Sequence, residues 1–188
     1  MIFNAGEEHR PALDRIGSGI LMLEKFGFEI YASIDGYSRF IVRIYIEVSA
    51  RTAISVLRQY LDAAQSNGSI PRVLRVDLGT ETVQLGDTYL LLRRSANNLP
   101  GYRTTVQLGD CFFYGRSVEN QPIEAWWGQL ATSSLFLYYE YLHKLQKEGH
   151  FSRDYIPEQV SLLAIYMPIL RSRIHSYVNT YNIYPIRA

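Results

Sequence analysis

The stretch FGFEIYASIDGYSRFIVRIYIEV, residues 26–48, decides how the rest of the chain is read. Two runs rich in β-branched and aromatic residues, 26–34 and 39–48, partly alternate between apolar and polar positions, and the four residues between them include a Gly and a Ser. That composition predicts a β-hairpin. Asp35 opens the turn, and an Asp there has two readings: it bonds the backbone of its own turn, or it forms one corner of a metal site.

Toward the C-terminus, Thr52 stands where a helix N-cap belongs. AISVLRQYLDAAQ then places Ile54, Leu57, Tyr60, Leu61 and Ala64 at helical spacing, and SNGSIP closes the helix with Gly and Pro. RVLRV, 72–76, follows at once and suits a buried strand. Strand, strand, helix, strand predicts an α/β layer in which a crossover helix returns the chain to a parallel strand beside the hairpin. Within 78–110, YLLLRR reads as helical and SANNLPGYRTT as loop. From Asn120 to Gly149 the chain reads as one long helix, with an Asn cap, a Pro near the first turn and a Gly at the end. A second helix is expected from about Pro157 to Ser172 and a broken third as far as about Val178, with Pro168 kinking or interrupting the region.

The 188 residues suffice for one domain, expected over 16–188 behind an irregular lead-in, 1–15. Lys and Arg total 19 against 18 Asp and Glu, which excludes a general electrostatic attraction to nucleic acid and leaves only a local basic surface. One cysteine, Cys111, excludes an internal disulfide and a Cys-rich zinc site, and the four histidines have no ligand spacing. Residues 1–15 carry no basic start followed by an apolar run, and no apolar stretch approaches bilayer length, so an intracellular protein is expected.

Two further acids stand out. Asp77 ends the buried strand 72–76 just before Gly79, and functional groups in open α/β sheets gather beyond the carboxyl ends of strands. Capping the following turn is the alternative role. Glu124 lies in the first turns of the long helix, where a carboxylate also interacts favourably with the helix dipole, and Trp126 and Trp127 beside it read as packing residues.

Taken together, three segments resemble a known pattern in a known order. FGFEIYASIDGYSR, RVDLGTET and YGRSVENQPIEAWWGQL are similar to the integrase catalytic core of retroviruses and transposons, and in particular to integrase-core proteins that survive in eukaryotic genomes as relics of mobile elements. The resemblance extends over roughly Arg15 to Ala188. It implies a ribonuclease-H-like three-layer α/β fold, a mixed sheet with an antiparallel hairpin and flanking helices, and ancestry among DDE-type polynucleotidyl transferases. Such enzymes use carboxylates to hold two Mg²⁺ (or Mn²⁺) ions about 3.5–4 Å apart for in-line phosphodiester displacement, because a hard cation prefers oxygen ligands. The resemblance assigns Asp77 and Glu124 to the second and third acidic positions, with Asp35 a further candidate ligand. It makes Arg39, Arg116 and Asn120 candidate DNA contacts, with Ser117 and Asn120 fixing the helix start. The interval from Asp77 to Glu124 exceeds that of the retroviral members, so an insertion is expected within 84–110.

The match departs from the family at its first acid. Aligned without gaps, RIGSGILMLEKFGF puts Ser18 where the family carries Asp, and a hydroxyl is a poor Mg²⁺ ligand. Asp14 is four residues early, some 13 Å along a strand and so out of reach. The C-terminal YNIYPIR keeps Asn182, Pro185, Ile186 and Arg187 of the family's Trp-Asn-x-His-Pro-Ile-Arg pattern. With one Cys, the family's zinc-binding His-His-Cys-Cys module is not encoded here. The expectations are therefore an integrase-core domain with DNA as partner, a homodimer, a nuclear location, and either residual metal-dependent strand transfer or an inactive module that only binds.

Overall fold

A computed structural model describes residues 13–18, 21–77, 79–95, 107–115 and 121–184. Its centre is a mixed five-stranded sheet in the order β3-β2-β1-β4-β5. The strands are β1 (Leu13–Ser18), β2 (Glu29–Asp35), β3 (Ile41–Glu47), β4 (Val73–Asp77) and β5 (Phe112–Gly115). β1 pairs antiparallel with β2 and parallel with β4; β2 and β3 pair antiparallel, β4 and β5 parallel. The expected hairpin is therefore present as β2 and β3, with one irregularity: Ser33 pairs with Arg43 but Ile34 with Ile41, so β3 carries an extra residue. Such a bulge increases local twist.

Between them run α1 (Leu21–Glu24), α2 (Ala53–Asn67), α3 (Val83–Ser95), the single turn α4 (Leu108–Cys111), α5 (Gln121–Leu130), α6 (Phe136–Lys147) and α7 (Ile156–Ile183). Thr52 caps α2 as its sequence predicts, its side chain accepting from Ser55 N, and Gly68 closes the helix at φ 62°, the left-handed conformation glycine tolerates. The buried face is rotated from the one the spacing suggests. Val56, Gln59 and Tyr60 are buried while Ile54 is 75% exposed. Gln59 is held there by donating to Ala50 O at 2.9 Å.

Alternation along β2 divides its side chains between two clusters. Ile30, Ala32 and Ile34 pack with Trp126, Leu130, Leu170 and Ile174, from α5 and α7. Tyr31 packs with Val56, Tyr60, Leu74, Val76, Leu85 and Tyr89, beneath α2 and α3. Each fully buried aliphatic or aromatic side chain stabilises by roughly 1.5–3 kcal/mol, so these clusters, rather than the polar edge, hold the elements together.

Two expectations are corrected, the extent of the lead-in and the break at Pro168, while the helix expected at YLLLRR is present and longer than read. The lead-in does not extend to residue 15, because Leu13–Ser18 form the central strand β1; LDRIGS has too few β-branched residues to declare itself, and its pairing is imposed by neighbours on both sides. The helix in 78–110 begins at Val83, well before YLLLRR, and β5 was not foreseen. α7 runs through Pro168 without interruption. Pro168 and Ala164, whose carbonyl loses its partner, both face solvent, where water replaces the missing hydrogen bond. Between α5 and α6, Ala131–Leu135 form a π-helical stretch that keeps the long helix continuous while inserting extra backbone.

β3 is an edge strand, and α7 lies along it. Asn182 Oδ1 accepts from Ile41 N at 2.8 Å and Asn182 Nδ2 donates to Ile41 O at 3.0 Å. Eleven residues earlier, Arg171 Nε donates to Ile46 O at 3.1 Å. Replacing Asn182 by Ala strands both Ile41 groups; a loss of about 1–3 kcal/mol in urea unfolding is expected, with a smaller loss for Arg171→Ala, whose side chain is half exposed.

Candidate metal centre

β4 presents Leu74 and Val76 to the cluster under α2 and α3, so Asp77 closes the strand on the alternate face, at its carboxyl end. α5 buries Ile123, Trp126, Trp127 and Leu130, the i, i+3, i+4, i+7 stripe of a helix lying on a sheet. Both tryptophans are packing residues, as expected. That orientation leaves Glu124 on the exposed side of the first turns. Burial pushes the Glu124 carboxyl above its ordinary value, and the Asp77 carboxylate pushes it further. The Asp77 carboxylate thus acts electrostatically on Glu124, although α3, α4 and β5 all lie between the two acids in sequence.

A further acid, Glu81, follows β4 and acts with Asp77 on the buried Tyr31. Tyr31 is buried at 2% exposure, and its hydroxyl is pushed up chiefly by burial, with Arg43 opposing and Glu81 and Asp77 reinforcing. Glu81 stands in the 3₁₀ turn Thr80–Thr82 directly after β4, and its carboxylate lies against Gly79. A Cβ on Gly79 would meet only the end of that flexible side chain, which can swing aside, so neither this approach nor the φ of −139° demands glycine here. The sequence carried a signal for Glu81, an acid four residues after Asp77 across a Gly turn, which a reading that stopped at Asp77 passes over.

Asp35 does not join them. Asp14 pairs with Asp35 on one side and with Leu74 on the other, so Asp35 is level with a residue three positions before Asp77, two strands away. At about 3.3 Å per residue and 4.8 Å per strand, that separates the two backbones by roughly 14 Å. Asp35 instead builds its own turn: Oδ2 accepts from Ser38 N at 2.8 Å and also from Ser38 Oγ, Asp35 N donates to Phe40 O at 2.8 Å, and Asp35 O accepts from Arg39 N at 2.9 Å. Its candidacy as a ligand is thus corrected to a turn role. Arg39 goes with it. It occupies this turn at φ 62°, near Tyr181, at the opposite end of the sheet from Asp77, and is not a phosphate contact beside these acids. Arg116, Ser117 and Asn120 lie outside the described residues.

The register also refines the position of the missing acid. Ile16 pairs with Val76, so the next step along both strands sets Gly17 beside Asp77. Gly17 pairs with Ala32, a member of the α5-side cluster, while Ser18 pairs with Tyr31, a member of the other. Neither residue is a carboxylate. Among the described residues no group of three or more His, Cys, Asp and Glu is arranged to hold a metal ion. The donors present, two carboxylates that raise each other's cost of ionisation, fit one hard divalent cation; when bound, it would supply positive charge and Lewis acidity between them. Asp77 and Glu124 would hold it.

Fold and site define an α/β domain with a carboxylate pair at the carboxyl edge of a mixed sheet. The chain belongs to the integrase core domain family, whose pattern it matches over residues 15–188. No curated protein matches it. No helix among the described residues is long and apolar enough to cross a membrane.

Because the Glu124 carboxyl is raised above 4.5 in the folded chain, ionising it costs the native state; the penalty is absent below that value and sets in as pH rises through the folded value. Glu124→Gln is therefore expected to raise the melting temperature slightly at pH 7 and not at pH 4. Millimolar Mg²⁺ should raise it for the wild-type chain and not for the variant, read by scanning calorimetry.

Proposed function

We propose that this chain is a DNA-binding integrase-core module of transposable-element origin, in the ribonuclease-H-like three-layer arrangement. It keeps a carboxylate pair for Mg²⁺ or Mn²⁺ but lacks the third acid of an efficient strand-transfer centre. The observation that carries the reading is the match to the integrase core domain pattern over residues 15–188, and the position of Asp77 at the carboxyl end of β4 with its electrostatic push on Glu124 supports it. The sheet order and the two clusters on alternate residues of β2 support the three-layer arrangement. Gly17 and Ser18, where β1 reaches Asp77, support loss of the centre, since neither supplies the oxygen charge that a second hard cation needs.

DNA is the partner the family suggests, and the near-zero net charge requires the contact to be local. A homodimer and a nuclear location belong to the same proposal. Retained strand transfer is the second reading, and Glu81, directly after β4 and acting with Asp77 on Tyr31, is the acid that would have to join the pair for it.

Calorimetric titration with Mn²⁺, followed by nicking of supercoiled plasmid in Mn²⁺, separates the readings. Expected are about one ion bound per chain, affinity at least about tenfold weaker in Asp77→Asn and in Glu124→Gln, and nicking at background in all three proteins. Nicking by the wild type that Asp77→Asn abolishes would establish the second reading. Equal Mn²⁺ affinity in wild type and Asp77→Asn would remove the metal role of the pair.

A further inference from the structure

On the outer side of α6 and α7 lies an open groove of about 390 Å³, within the range of sites that hold small ligands or single side-chain clusters. Its walls are Ser134, Leu137, Tyr138 and Tyr141 from the π-helical stretch and α6, facing Tyr166 and Arg173 from α7. The first set recurs at i, i+3, i+4 and i+7, so four side chains line one wall over two turns. Tyr141 and Tyr166 face each other across the groove with their ring centroids 6.0 Å apart. Ser134 stands in the π-helical stretch, whose inserted residue turns this wall relative to the α5 wall; such insertions are frequent at functional sites.

The surroundings are apolar where a solvated face would be charged. Leu137 is 79% exposed, and Ile165 and Ile169 on α7 are 58% and 43% exposed. Between Glu158 and Arg171, α7 carries no charged residue at all. A long helix that is apolar on its outer side as well as its inner side normally has something against both. Arg173 is the one charged residue lining the groove, and no carboxylate lines it. Seven residues from Tyr166, it stands about 10 Å along α7 from that residue.

We infer that this groove is a docking site for an acidic-hydrophobic protein segment, one that sets a large apolar side chain between Leu137, Tyr141 and Tyr166 and a carboxylate on Arg173. The charge pattern selects this occupant. A guanidinium fork matches a carboxylate bidentately, and an amphipathic helix carrying an acid two turns from a large apolar residue spans the same 10 Å or so. A nucleic-acid strand would bring a phosphate at every nucleotide and require cations repeated along the groove, where Arg173 stands alone. The site lies on α6 and α7, away from Asp77 and Glu124, and holds whether or not those acids bind metal.

The test uses the full chain and a fluorescein-labelled helical peptide, acetyl-Glu-Ala-Ala-Leu-Ala-Ala-Leu-Trp-Ala-Ala-Ala-amide, in which Glu and Trp are seven residues apart. Fluorescence anisotropy is expected to show saturable binding, weakened about tenfold by Arg173→Gln and by Gln in place of the peptide's Glu, with no further loss when both are changed. Leu137→Asp should abolish binding; both variants change exposed side chains, and unaltered far-UV circular dichroism verifies their fold. Equal affinity for the Glu and Gln peptides, or no binding of either, overturns the inference. So does competition by oligothymidylate that Arg173→Gln relieves, which assigns the groove to nucleic acid. A concentration-dependent dimer in sedimentation that Leu137→Asp dissociates also overturns it, since the groove is then a self-interface.

Discussion

The strap of α7 across the edge strand β3 is the constraint on which the remaining packing depends. Eleven helical residues separate Arg171 from Asn182, about 16.5 Å at 1.5 Å per residue; five strand residues separate Ile46 from Ile41, again about 16.5 Å. Helix and strand run in opposite directions with commensurate repeats, so two polar side chains reach the backbone of the edge at both ends. Those bonds occupy groups that an open edge would offer to another chain. They also fix the rotation of α7, which turns Leu170, Ile174 and Val178 inward and lays Tyr177 and Tyr181 on Trp126 at 6.3 and 6.2 Å.

Through Trp126 the strap reaches the acids. Trp126 and Trp127 seat α5 on the sheet, and α5 carries Glu124 toward Asp77. The position of α5 is supplied by apolar packing, while the Asp77 and Glu124 carboxylates oppose one another. Such a division is expected of a functional site, where like charges are held close at a cost met by the core. Asn182, matched in sequence only as part of a C-terminal pattern, thus acquires a physical role: it holds the end of a helix whose tyrosines support the helix bearing Glu124.

Much of this was legible in the sequence. The hairpin, α2 with its Thr52 cap, β4, and the helix bearing Glu124 followed from local rules, because alternation, capping and apolar spacing act within each segment. β1 and β5 were not legible. Their pairing is set by neighbours distant in the chain, and LDRIGS and FFYG are short and atypical. Pro168 misled because a helix break depends on whether the freed carbonyl faces water, which the sequence does not state. Asp77 and Glu124 were singled out in sequence, and the fold adds the strand end of the one, the helix start of the other and the push of Asp77 on Glu124. Asp35 was mistaken for a possible ligand because chain order conceals which end of a sheet a residue occupies: an antiparallel hairpin returns the chain to the end opposite the C-terminus of a parallel strand.

The same physics explains how a member of this family can lose an acid and keep its fold. Neither cluster includes Asp77, Glu81 or Glu124, so none of the apolar burial depends on them. Asp77 and Glu124 already repel, and a third carboxylate at the β1 position beside Asp77 would add to that repulsion unless a cation neutralised it. Substitution by a neutral residue there relieves the strain on the native state. The α7 strap and the tryptophan seat, by contrast, act through backbone hydrogen bonds and apolar burial, so they hold the fold together whatever stands at the acid positions.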